Sequence, residues 1–123
     1  MLTCEHLPPD SRGLIARLEL EGVKFNVLFS KAGALRGGDI HPCAQHDFVI
    51  RGEVKLELAD LGKYKIRAVT AGQHVTIPAG RAHLLTFLQD TVMLEWWDGP
   101  FVAEYYEPYR CQVEEHLRAH PTA

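Results

Sequence analysis

Two stretches of the 123-residue chain gather the residue types that can bind a metal or move a proton. The first runs Arg36-Gly37-Gly38-Asp39-Ile40-His41-Pro42-Cys43-Ala44-Gln45-His46-Asp47 and closes on Gly52. If Asp39 to His41 is extended, their two side chains point to the same face, because side chains alternate along a strand. Gln45 can rejoin that face after the kink at Pro42. Three oxygen or nitrogen donors would then converge. The second stretch spaces Gly72, Pro78, Gly80 and His83 so that a Pro-x-Gly turn delivers a histidine to the start of the next strand. His83 would be a fourth donor, and imidazole suits several first-row divalent metals.

Two carboxylates could do acid or base work beside these donors. Asp47 shares parity with Gln45 and would face the interior, where desolvation raises a carboxyl pKa toward the range of a general acid or base; an ion pair with Arg51 is the other reading. Glu95 lies in the apolar run Val92-Met93-Leu94-Glu95-Trp96-Trp97, and a buried carboxylate there needs a partner or a task. The bland alternative for His41 and His83 is a hydrogen-bonded core histidine, and for Asp39 and Gln45 a structural polar group. His46 should lie on the face opposite Gln45, with a structural or interfacial role. His74 has no evident partner, and Cys43, next to Pro42, has no predictable direction. Trp96 and Trp97 point to opposite faces, where one could form a stacking wall for a ring.

The elements that must position these groups are mostly strands. Leu14, Ala16, Leu18 and Leu20 alternate with Ile15, Arg17, Glu19 and Glu21, and the alternation resumes after Gly22 with Val23, Phe25, Val27 and Phe29. Further period-two runs span Val49 to Leu58, Tyr64 to Val69 and the region around Val75 and Ile77, with a turn at Asp60-Leu61-Gly62-Lys63. Leu84 to Leu88 and Val92 to Trp97, joined by Gln89-Asp90-Thr91, read as a hairpin. About eight or nine short strands at 8 to 12 residue spacing predict an all-β antiparallel sandwich or barrel. Only the carboxyl end changes period: Pro108 can open a helix, and Tyr109, Val113 and Leu117 then fall on one face. The aromatic set Tyr105, Tyr106 and Tyr109 should pack the tail onto the barrel or a partner subunit. The tail from His120 to Ala123 should fray.

Composition narrows the function classes. Length sets one domain, residues 1–123, with a core about 14–98 and a tail and helix over 99–123. Thirteen Lys and Arg against sixteen Asp and Glu give a net charge of −3, which argues against nucleic acid as a partner. No apolar run approaches a membrane span, and the amino terminus lacks a signal-peptide pattern, so a soluble, cytoplasmic protein is expected. Cys4, Cys43 and Cys111 form no C-x-x-C pair, so reduced thiols are expected. Exposed strand edges and the aromatic tail predict a homodimer.

The two stretches resemble the motifs of the cupin superfamily. Asp39 and His41 occupy the two histidine positions of its first motif, Gln45 the glutamate position, and Gly52 the closing glycine after six residues. Gly72, Pro78, Gly80 and His83 match the second motif, with Phe87 where asparagine is usual. The likeness covers roughly residues 36 to 98. It implies a single cupin-type jelly-roll β-barrel with a short carboxyl-terminal helix and one divalent metal per chain at the barrel mouth. Asp39, His41, Gln45 and His83 would be the ligands, with Fe, Mn, Ni or Zn unresolved. Two imidazoles and one carboxylate resemble Fe(II) or Mn(II) sites, with Asp39 supplying the charge and Gln45 a weak ligand or orienting donor. Arg36-Gly37 and Gln45 also look somewhat like nucleotide-sugar ketoisomerases. The expected function is therefore a small metal-dependent isomerase or oxygenase acting on a small polar or sugar-like molecule, with Asp47 and Glu95 catalytic. A non-catalytic small-ligand or sugar-binding cupin is the alternative.

Overall fold

In a computed structural model, which describes residues 1–60 and 62–121, the chain forms eleven strands and one helix. The strands are β1 (Leu2–His6), β2 (Gly13–Leu20), β3 (Val23–Ser30), β4 (Leu35–Ile40), β5 (Gln45–Arg51), β6 (Glu53–Asp60), β7 (Lys63–Thr70), β8 (His74–Ile77), β9 (Ala82–Phe87), β10 (Thr91–Trp97) and β11 (Glu104–Tyr105); the helix is α1 (Glu107–Ala119). They build two antiparallel sheets, in the order β1-β2-β3-β10-β5-β8 and β11-β4-β9-β6-β7. The expected all-β barrel is thus present, with more strands than the eight or nine anticipated. Of the turn between β6 and β7, Leu61 lies outside the described residues, as do Thr122 and Ala123 of the expected frayed tail.

Period two decides which residues meet. Glu21 and Gly22, both with positive φ (51° and 81°), close the two-residue turn that pairs Leu20 with Val23. That register sets Ile15 beside Leu28, and Leu28 in turn lies beside Met93 and Met93 beside Val49. This row faces Val54, Leu56, Leu85 and Phe87 of the other sheet to make the main core, each large side chain contributing about 1.5–3 kcal/mol. The next inward row of the same sheet is polar: Arg17, Asn26, Glu95 and Asp47. One end of the barrel is closed by hydrocarbon and the other is lined for chemistry.

One expectation fails. The residues 84–88 and 92–97 are not a hairpin, because β9 pairs with β4 and β6 in one sheet while β10 pairs with β3 and β5 in the other. The short link between them crosses from sheet to sheet. Helix α1 forms as its four-residue period predicts, with Pro108 in its first turn and Glu107 favourably placed near its amino end. Tyr109 and Val113 bury against Ala82 and Leu84, so α1 covers the outer side of the five-stranded sheet. Among the described residues no helix is long and apolar enough to cross a membrane. The three cysteines are free.

Candidate functional site

The two sequence stretches meet through the backbone. Gly80 N–H donates to the His41 carbonyl (2.8 Å) and Arg81 N–H to the Pro78 carbonyl (3.3 Å), so the Pro-x-Gly turn leads into β9 with His83 near its start. Across the β4–β9 ladder Asp39 pairs with His83, after a slip between Gly37 and Asp39. Gly37 and Gly38 take φ of 97° and 80° at that slip, a region that favours glycine. A Cβ on Gly37 would sit 3.1 Å from the His83 ring, and one on Gly38 would sit 2.8 Å from the Arg110 Cα of α1. The two glycines therefore make room for the imidazole on one side and for the helix on the other.

His41 and His83 stand with ring centroids 5.2 Å apart. His41 Nδ1 donates to the Val102 carbonyl (2.9 Å), so in the neutral ring Nε2 is the nitrogen that carries the lone pair. Trp97 and Phe101 pack against the same ring. Burial, reinforced by His41, pushes the His83 pKa down to about 4, so this imidazole is neutral and able to ligate. Burial raises the Asp39 pKa, opposed by His41 and Arg110.

Asp47 and Glu95 are cross-strand partners on β5 and β10. Gln45 bridges them: its Nε2 is 3.2 Å from both Asp47 oxygens and 3.3 Å from Glu95 Oε2. Asn26 donates to the other Glu95 oxygen (3.3 Å). Asp47 is 0% exposed, and neither carboxylate forms an ion pair among the described residues. The Asp47–Arg51 pair read from sequence is absent, since Arg51 is exposed at the strand end. Burial, then the neighbouring Glu95 charge, holds the Asp47 pKa well above the usual range. Burial pushes Glu95 up to about 7, against the Asn26 hydrogen bond and Arg36. Two adjacent carboxyl groups in this setting retain a proton between them near neutral pH.

A cavity of about 870 Å³ opens over these groups, lined among others by Arg36, Asp39, His41, Gln45, His83 and Glu95. Asp47 does not line it and lies behind Gln45 and Glu95. Four buried polar atoms in this region have no hydrogen-bond partner: Asp39 Oδ1, Gln45 Oε1, His83 Nδ1 and Trp97 Nε1. Among the described residues no three or more His, Cys, Asp and Glu are assembled as a group that could hold a metal ion. The two imidazoles are a pair beside which Asp39 has not closed a cage. His46 lies on the outer face as expected, bonded to Asp98 (2.8 Å) and to His74 (2.9 Å), and both rings lie nearly parallel to Trp96. His74 therefore has the partner that its sequence neighbourhood did not reveal. Asn26 lines the cavity without having been singled out, because it belongs to no ligand-like spacing, and Arg36, which carried only the ketoisomerase likeness, lines it too.

No protein-family model matches the chain, and no curated protein matches it. Solved structures do. The capsular polysaccharide assembling protein CapF from Staphylococcus aureus is 20% identical with a TM-score of 0.71, over 84% of this chain and 34% of that one. A mutant of Bacillus subtilis oxalate decarboxylase is 17% identical with a TM-score of 0.72, over 97% of this chain and 35% of that one. Both neighbours are cupin-fold proteins. The fold is that of a cupin. This chain spans about a third of the length of either neighbour.

Proposed function

We propose that the chain is a metal-binding cupin enzyme that acts on a small polar molecule by metal-assisted proton transfer or oxidation. The observation that carries this reading is the set of partnerless buried donors, Asp39 Oδ1, Gln45 Oε1 and His83 Nδ1, around one cavity. A buried polar atom without a partner costs about 1–3 kcal/mol, and a bound ion with its water or ligand would satisfy several at once. The residues fit such an ion. Two imidazoles on one metal at a bond length of about 2.1 Å place their centroids about 5 Å apart, and His41 and His83 stand 5.2 Å apart. The His41 contact to Val102 is the outer hydrogen bond that orients a ligating histidine. Asp39 and Gln45 would add oxygen donors, the first charged and the second neutral.

When bound, one divalent ion per chain, Fe, Mn, Ni or Zn, would supply Lewis acidity to a substrate oxygen. Glu95 faces the cavity and would give or take the proton, while Asp47, its cross-strand partner behind it, would tune that proton through its charge. A barrel that binds a small ligand without catalysis is the second reading, favoured by the lack of a finished three-ligand group among the described residues. We place a second copy of the chain on the outer face of the six-stranded sheet, over the outward row Ala16, Val27, Leu94 and Phe48.

Metal analysis of protein purified without a histidine tag tests the first reading. It should find about one ion per chain, lost in both His41→Ala and His83→Ala. Unchanged metal content in folded variants, or no metal in the wild type, would remove the assignment.

A further inference from the structure

Arg36 is a buried cation that forms no ion pair among the described residues, although the charges of Asp10 and Glu95 reach it. On β4 it is 6% exposed, its Nε donates to Ser30 Oγ (2.9 Å), and among the described residues no carboxylate lies within ion-pair distance of it. The other arginines around the cavity are spent or solvated: Arg12 is clamped by Asp10 (2.7 Å), Arg110 pairs with Glu114 (3.3 Å), and Arg17 is exposed. Burial, then the Arg12 charge, pulls the Arg36 pKa down to about 10 against the charges of Asp10 and Glu95, which still leaves it charged at neutral pH. None of its nitrogens is among the sealed partnerless atoms, and it lines the cavity, so the free edge of its guanidinium opens into that space.

Buried charges are ordinarily paired, because an unpaired one carries a large desolvation cost. The free guanidinium edge offers two parallel donors at the spacing of a carboxylate. Asp39 and Glu95 lie on the same wall, and the other cations that line the cavity, Arg12, Arg17, Lys24 and Arg110, are paired or exposed, so among the described lining residues Arg36 is the buried cation left to match a single negative group. We infer that Arg36 is the anchor for a carboxylate on the ligand, and that the cavity takes a small monocarboxylic acid rather than a neutral sugar. The inference rests on the cavity being the ligand site and needs no metal there. The carboxylate occupies the Arg36 end, and the rest of the molecule lies toward His41, His83 and Glu95.

The test is binding of pyruvate and glycolate, with glucose and inorganic phosphate as contrasts, to chelator-treated and to metal-loaded protein, read by calorimetry. The monocarboxylates should bind, and Arg36→Gln should weaken them about tenfold or more while metal content stays as in the wild type. Arg36→Lys should recover part of the loss. Without ligand, Arg36→Gln should melt at or above the wild-type temperature, because it removes an unpaired buried charge. If Arg36→Gln fails to fold or melts well below the wild type, Arg36 is structural and the inference falls. It falls equally if the variant binds monocarboxylates as tightly as the wild type, which would put the anion on the metal, or if only glucose or phosphate binds. A protein that holds no metal yet binds pyruvate through Arg36 would overturn the metal site and leave this inference standing.

Discussion

On the five-stranded sheet the outward side chains Ala82 and Leu84 lie under Tyr109 and Val113 of α1. On the six-stranded sheet the outward row Ala16, Val27, Leu94 and Phe48 is flanked by Phe29, 45% exposed, and Ile50, 49% exposed, and α1 packs on the other sheet. One residue along the same four strands, the inward row is Arg17, Asn26, Glu95 and Asp47. A sheet with one wet face usually alternates the other way, apolar inward and polar outward. Here the polar side chains point in because the cavity needs them. At this level of the barrel the apolar ones point out, and the outward positions of β3 and β10 include no Lys, Arg, Asp or Glu, while on β5 the bulge sets Arg51 beside the outward Val92. This largely apolar face, with Arg51 at its edge, is where the second copy proposed above would dock, doing for this sheet what α1 does for the other.

The covered back can be broken from within. Gly38→Val would drive side-chain atoms into the α1 backbone, where even a Cβ would lie 2.8 Å from Arg110 Cα and 2.9 Å from its nitrogen, at a φ of 80°. Chemical denaturation should show a loss of about 3 kcal/mol. Gly80→Val, at a similar φ of 78° with nothing within 4 Å, should cost only about 1 kcal/mol. Equal losses at the two sites would mean that α1 is not seated on β4.

The open back can be broken from outside. Leu94→Lys places a charge in the middle of the outward apolar row, so self-association should weaken about thirtyfold, roughly 2 kcal/mol. Sedimentation should move from twice 13.8 kDa toward 13.8 kDa at micromolar concentration. The melting of the dilute monomer should hardly change, since outward substitutions usually cost under about 0.5 kcal/mol. A wild type already at 13.8 kDa, or a variant still paired, would leave this face without the assigned partner.

Much of this contrast was legible in the chain. Alternation identified β2 and β3, and the four-residue period identified both α1 and its buried face at Tyr109 and Val113. The motif spacing placed His41 and His83 at one site, where their rings stand 5.2 Å apart, whereas the pairing of Asp39 with His83 follows from a register that residue order does not display. The false hairpin arose because β9 is buried on both sides, by the core and by α1, so its apolar run carries no sign of which sheet it joins. Strand β1 escaped notice because Leu2–His6 is exposed throughout and its side chains are mixed. The bridge from Gln45 to Asp47 and Glu95 depends on where an amide turns, and the significance of Arg36 lies in a partner that is missing. Neither is written in residue order.

The smallest effect separates the two oxygen donors at the polar mouth. Asp39 keeps one buried oxygen without a partner, stands across the ladder from His83, and is the only carboxylate of the four expected ligands. Gln45 offers a neutral oxygen, and its nitrogen is committed to Asp47 and Glu95. A divalent ion gains more from a charged oxygen than from an amide, so Asp39→Ala should weaken metal binding about tenfold and Gln45→Ala by less. Gln45→Ala should instead lower stability, because it strips two carboxyl groups of a shared donor. Metal titration and thermal melting of both variants separate the two roles. If Gln45→Ala loses more metal than Asp39→Ala, or a folded Asp39→Ala loses none, Asp39 is a structural residue and the negative ligand must come from Glu95, the remaining carboxylate that faces the cavity.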